Sequence, residues 1–323
     1  MQKLIIQIPC LNEEETLPIT LADLPREVEG FETVEWMVID DGSTDRTVAV
    51  AKECGVDHII SLPHNQGLAK AFMAGIEHAL RLGADVIVNT DADNQYDATC
   101  IPDLVRPILA KQALITIGAR PIDTIEHFSP MKKFLQKFGS WVVKFASDTQ
   151  VADAPSGFRA FHRDAAIRLN VFNAYTYTLE TIIQAGRKNI PIVSVPIRVN
   201  GDLRPSRLVK SIPSYVRRSL ITVIRIFIVY CPLRIFATSA LIAALPGLIM
   251  TLRFLYHYFN GEGSGHIQSL VLSGALFAIA GVLAIGGILA DLIATNRQML
   301  EDIKLNQLRD SLERLQTTAR ADN

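Results

Sequence analysis

Two aspartates one residue apart, Asp91 and Asp93, follow directly on the apolar run Val86-Ile-Val-Asn-Thr. That run reads as a short buried strand. Period-2 alternation points both carboxylates to one side beyond the strand's C-terminal end, where open α/β sheets place their ligands. Two converging negative charges need a cation. A hard divalent ion such as Mg²⁺ or Mn²⁺, held by one or two carboxylates and completed by substrate phosphates, meets that need. On the residues alone a second reading stays open: Asp is a favoured helix N-cap, and Thr99-Cys-Ile-Pro-Asp-Leu-Val can begin a helix.

The elements that must position these acids repeat a pattern. Leu4 to Ile8 reads as a strand, and Pro9-Cys-Leu-Asn-Glu-Glu-Glu15 as a turn into a helix with acids in its first turn. Glu35-Trp-Met-Val-Ile-Asp-Asp-Gly-Ser-Thr-Asp45 repeats that plan and leads into a helix over 46–54. Ile59 to Leu62 is expected to be a strand and Leu68 to Leu82 a helix; further strands follow at Ala113 to Gly118 and Ile190 to Val199. The last contains two prolines and therefore belongs at an edge. Strands alternating with helices imply an α/β domain with a mostly parallel sheet and right-handed crossovers. Phe128 to Phe138 carries aromatic and basic residues at helical spacing and reads as an amphipathic helix. Asp153 to Phe161 is a turn-rich entry to another element, with Asp153 either a structural turn residue or a group that positions a substrate.

The 323 residues are 49% hydrophobic with a net charge of −1, which excludes a disordered chain and gives no sign of a nucleic-acid partner. Four scattered cysteines form no Cys-x-x-Cys pair and read as reduced thiols facing a cytosol. The N-terminal apolar run is short and strand-like rather than a secretion signal. From Arg204 to Arg234 there are seven Lys or Arg residues and no acid, interleaved with large apolar residues. A basic, apolar helix of this kind suits a membrane interface rich in anionic lipids. Ile235 to Leu252 and Ile267 to Ala290 are uncharged and about 18 and 24 residues long, enough to cross a bilayer core. Positive charge flanks the pair on one side, so both the N-terminal domain and the tail over 291–323 are expected to face the cytoplasm. In that tail Leu305, Leu308, Leu312 and Leu315 follow helical spacing over about two heptads.

Ile8-Pro-x-x-Asn-Glu13, Ile39-Asp-Asp-Gly-Ser-Thr-Asp45, Asp91-Ala-Asp-Asn-Gln95, Gly118-Ala-Arg120 and Pro155-Ser-Gly-Phe-Arg159 occur in this order within the first 210 residues. Together they resemble the successive signatures of family 2 glycosyltransferases with a GT-A fold. The subgroup they are most similar to is the polyprenyl-phosphate glycosyltransferases related to dolichyl-phosphate mannose synthase, with two C-terminal transmembrane helices. The resemblance implies a catalytic domain over 1–210, an interfacial segment over 211–234, a transmembrane hairpin over 235–290 and a cytoplasmic tail over 291–323. It implies that Pro9, Leu11, Glu13, Ile39 and Asp41 hold the nucleoside of a UDP- or GDP-sugar. Asp91 and Asp93, with Ala92 between them, take the diphosphate and its Mg²⁺ or Mn²⁺, and Gln95 completes the metal shell. Arg120, Arg159 and Arg204 would approach the acceptor phosphate, and Arg198 and Arg207 the donor. Asp153 joins Asp91 and Asp93 as a candidate in catalysis. Arg204-Pro-Ser-Arg-Leu208 stands where the family usually carries Gly-Glu-Ser-Lys-Leu.

The implied reaction is inverting transfer of a hexose to undecaprenyl or dolichyl phosphate in a bacterial or archaeal cell membrane, with homo-oligomerisation left open. Two alternatives remain. A processive polysaccharide synthase shares this kind of catalytic domain but carries Gln-x-x-Arg-Trp, a context that neither Trp36 nor Trp141 supplies. The other is a non-catalytic membrane scaffold, against which the intact set of acids argues.

Overall fold

The computed structural model describes residues 2–121, 149, 151–171, 177–201, 228–261, 265 and 267–321. Seven strands form one sheet: β1 (Lys3–Cys10), β2 (Thr33–Asp40), β3 (His58–Ser61), β4 (Val86–Asn89), β5 (Ile115–Ala119), β6 (Arg159–His162) and β7 (Ile192–Pro196). Their order is β3-β2-β1-β4-β6-β5-β7. β3, β2, β1 and β4 are mutually parallel. Central β1 is covered on both faces, and Leu4, Ile5, Ile6 and Ile8 are fully buried. That is why its sequence is a continuous apolar run rather than an alternating one. Each such side chain contributes about 1.5–3 kcal/mol on burial.

Among the described residues six α-helices accompany the sheet: α1 (Leu17–Asp23), α2 (Thr47–Glu53), α3 (Leu68–Arg81), α4 (Ile101–Leu109), α5 (Arg163–Arg168) and α6 (Thr178–Arg187). In α3 the buried residues Ala69, Phe72, Ile76, Ala79 and Leu80 recur every three or four positions, giving one apolar stripe toward the sheet. Gly67, at φ 97°, supplies the left-handed turn that launches it.

One finding corrects the sequence reading. β4 ends at Asn89, so Asp91 and Asp93 lie in a turn beyond the strand rather than at its alternating end. The turn-rich segment enters an element as read, feeding β6, which runs antiparallel between β4 and β5. β7 pairs only with β5, at the edge where its prolines are tolerated.

The chain divides into two compact units, Met1–Ser219 with Lys304–Asn323, and Leu220–Ile303. The second contains α7 (Pro232–Phe259) and the greater part of α8 (Ile267–Ala321). Phe236 of α7 packs on Gly287 of α8, where an added Cβ would lie 2.7 Å from the Phe236 Cβ. α8 continues well past Ala290 because 291–321 contains neither Gly nor Pro. Both helices are long and apolar enough to cross a membrane, with mean hydropathy 2.0 and 2.4 in their most apolar parts. The amphipathic helix read at 128–138, Arg204, Arg207 and the basic helix with Arg217, Arg218 and Arg225 lie outside the described residues.

Candidate active site

The site begins with a buried polar floor that sequence reading missed. Gln7 on β1 donates from Nε2 to Asn89 Oδ1 (2.9 Å), and Asn89 on β4 donates from Nδ2 to the Gly157 carbonyl (2.9 Å) and the Tyr177 hydroxyl (2.8 Å). Tyr177 stacks on Phe72 at 3.9 Å. Asp91 rests on this floor. A Cβ at Gly157 would stand 2.9 Å from Asp91 Oδ2 and 3.0 Å from the Tyr177 hydroxyl, so glycine there makes room for the carboxylate.

Along 91–97 burial alternates: Ala92, Asn94 and Tyr96 are buried, whereas Asp91, Asp93, Gln95 and Asp97 keep partial exposure. The turn thus reproduces what strand alternation was expected to do. Burial and the neighbouring Asp93 push the Asp91 carboxyl up to about 7, against the pull of Arg120. The ionised pair is therefore in tension, which a cation relieves. Among the described residues no three His, Cys, Asp or Glu side chains gather as a metal cluster. The donor set nonetheless fits a hard divalent ion of the Mg²⁺ type, which needs only one or two carboxylates and takes its remaining oxygens from water and substrate phosphate.

The arginines separate by environment. Arg120, directly after β5, forms a bidentate pair with fully buried Asp153, Nε–Oδ2 2.7 Å and Nη2–Oδ1 3.0 Å. Nε and Nη2 face the carboxylate, so the pairing fixes the plane of the guanidinium. Asp153 therefore orients Arg120. Arg159 departs from expectation: it is fully buried, donating to the carbonyls of Ser156, Thr178 and Ala154 and to Thr181 Oγ1. Burial pulls it down to about 10, still charged at neutral pH. It binds the 154–159 turn to α6 with four hydrogen bonds. Arg198 is exposed and bonds Asp97 (2.7 Å) and Thr99 (2.6 Å).

Pro9, Leu11, Glu13, Ile39 and Asp41 all cluster at the carboxyl ends of β1 and β2, the edge at which β4 also ends. Pro9, Ile39 and Asp41 are buried, whereas Leu11 and Glu13 are partly exposed. Asp41 accepts from the N–H groups of Gln66 (2.7 Å) and Gly67 (2.9 Å), which fixes the loop before α3. The two crossover loops lock together: Asn12 N–H donates to Ser43 Oγ (2.9 Å), Glu13 N–H to Thr47 Oγ1 (2.8 Å) and Glu14 N–H to Asp45 (3.2 Å).

A mostly parallel sheet whose carboxyl edge gathers the paired aspartates is the GT-A arrangement of α/β proteins. Residues 5–169 match glycosyl transferase family 2, and the chain belongs to that family. Over 207 residues it is 27% identical to a polyprenol monophosphomannose synthase of Mycolicibacterium smegmatis, covering 61% of this chain and 77% of that protein. It is also 27% identical over 213 residues to a UDP-N-acetylglucosamine–dolichyl-phosphate N-acetylglucosaminyltransferase of Methanococcus voltae, covering 59% and 83%. The fold is similar to that of glucosyl-3-phosphoglycerate synthase from Mycobacterium tuberculosis, crystallised with Mn²⁺, UDP and glucosyl-3-phosphoglycerate. The TM-score is 0.53 at 20% identity, over 69% of this chain and 80% of that one.

Proposed function

We propose that the protein transfers a sugar from a nucleoside diphosphate to a polyprenyl phosphate at a membrane surface. The observation that carries this reading is the 91–95 turn, in which Asp91, Asp93 and Gln95 share the open side while Arg120 is held ready by Asp153. Residues at the ends of β1 and β2, including Leu11, Glu13 and Asp41, take the nucleoside. Asp91, Asp93 and Gln95 hold Mg²⁺ or Mn²⁺, which when bound neutralises charge on the leaving diphosphate. Arg120, held in plane by Asp153, offers its guanidinium to a phosphate in the planar geometry suited to that group. The relatives named for polyprenyl and dolichyl phosphates, together with the two apolar helices, support a lipid acceptor.

The acceptor attacks as a phosphate oxygen. A monoester with a second pKa near about 6 is mostly dianionic at neutral pH, so the attack needs little help from a base. One bond forms from that oxygen to the anomeric carbon as the bond to the diphosphate breaks, with inversion. The two relatives carry names for different sugars at equal identity, so similarity does not choose the donor. The test is to incubate the purified protein with undecaprenyl phosphate and a panel of radiolabelled UDP- and GDP-sugars. Label from one donor should move into the organic phase; label released only as free sugar, or polymer growth without lipid product, would refute the reading.

A further inference from the structure

The alternating turn at 91–95 has an inner side, and α1 grips it. Thr20 Oγ1 donates to the Ala92 carbonyl (2.9 Å), and Asn94 Nδ2 donates to Asp23 Oδ2 (2.8 Å). Thr20 and Asp23 are three residues apart, hence on one face of the helix. They bind the two turn residues that alternate with Asp91, Asp93 and Gln95. Asn94 is the pivot, held at φ 54°, a left-handed conformation that asparagine tolerates better than most residues. Asn200 also holds the turn, with its N–H on the Gln95 carbonyl (2.9 Å) and its Nδ2 on the Asn94 carbonyl (3.0 Å). The backbone between the acids is thus fixed independently of any ion.

We propose that Thr20 and Asp23 are positioning residues for the cation site: α1 holds residues 92 and 94 so that the carboxylates of 91 and 93 are presented together before an ion arrives. This inference rests on the metal role proposed above for Asp91 and Asp93. Preorganisation of this kind lowers what binding must spend on ordering. Because Asp23 is itself exposed, the Asn94–Asp23 contact can be removed with little disturbance of the core.

The experiment uses the full-length protein in detergent with UDP or GDP, whichever nucleotide supports Mn²⁺ binding by wild type. Free Mn²⁺ is read from its electron paramagnetic resonance signal, and melting is followed in parallel. Asp23→Ala should weaken Mn²⁺ binding about three- to tenfold, the equivalent of one hydrogen bond, with the melting temperature nearly unchanged. Asp23→Asn, which keeps an acceptor for Asn94, should restore most of the affinity. Thr20→Val should weaken binding similarly, provided it melts as a folded protein. Equal Mn²⁺ affinity in wild type and folded Asp23→Ala would overturn the positioning role and leave the metal site standing. Failure of wild type to bind Mn²⁺ with either nucleotide would overturn both.

Discussion

At the residue scale the site depends on what surrounds each charged group rather than on the charges alone. Gly157→Ala should displace the Asp91 carboxylate, because the new methyl would lie 2.9 Å from Oδ2. Turnover should fall at least tenfold while the protein still folds, checked by initial rates beside a melting curve. The two arginines that the sequence reading placed at the acceptor, Arg159 and Arg120, diverge in the same way. Arg159→Met strips four buried acceptors of their donor, and a buried acceptor left unsatisfied costs about 1–3 kcal/mol, so a denaturant titration should show a loss of stability of at least about 1–3 kcal/mol. Arg120→Lys keeps the charge but loses the bidentate pairing, so it should lower turnover more than stability. Asp91 and Asp93 were legible in the sequence because acids closing an apolar strand are rare and chemically pointed. Gly157, Asn89 and Tyr177 were not: their roles arise from contacts between residues 20 to 88 positions apart, which no local pattern encodes.

At the scale of elements, the parallel half of the sheet and its helices could be read from apolar runs and their punctuation. The antiparallel direction of β6 could not. A four-residue strand carries no sign of which neighbour it will join, and β6 is placed by the Arg159 network and by pairing on both sides. The crossover loops make a separate prediction. Burial alone would raise the Asp45 carboxyl, but bonds from the Thr47 side chain and backbone and from the Glu14 N–H outweigh it and lower it. A carboxyl depressed in the folded state stabilises fully above its unfolded pKa of about 4, and this stabilisation fades as pH falls through the folded value. Asp45→Asn should therefore be less stable than wild type at neutral pH. The gap between their melting temperatures should narrow steadily below about pH 4.

At the scale of the whole molecule, two helices display apolar side chains that a water-soluble protein would cover: Ile242, Ile249, Val271, Val282 and Ile293 are all more than 60% exposed. Membranes from expressing cells should retain the protein through high-salt and alkaline washes and release it only to detergent. Release by salt would show that the helices do not span. α8, at 55 residues, is about 80 Å long, far more than the roughly 30 Å of a bilayer core, so its charged second half extends beyond the hydrocarbon. The sequence reading ended the span at Ala290 because hydropathy stops there; helix propensity does not, and the helix runs on. The central claim is that the paired aspartates hold a divalent ion on a sugar nucleotide for transfer to a lipid phosphate. It is tested most directly by counting labelled sugar in the lipid phase with wild type and Asp93→Asn, each with EDTA and then with excess Mg²⁺ or Mn²⁺. Wild type should lose all transfer in EDTA and recover it with metal, while folded Asp93→Asn stays at least a hundredfold lower throughout; full transfer in EDTA, or by the variant, would contradict the account.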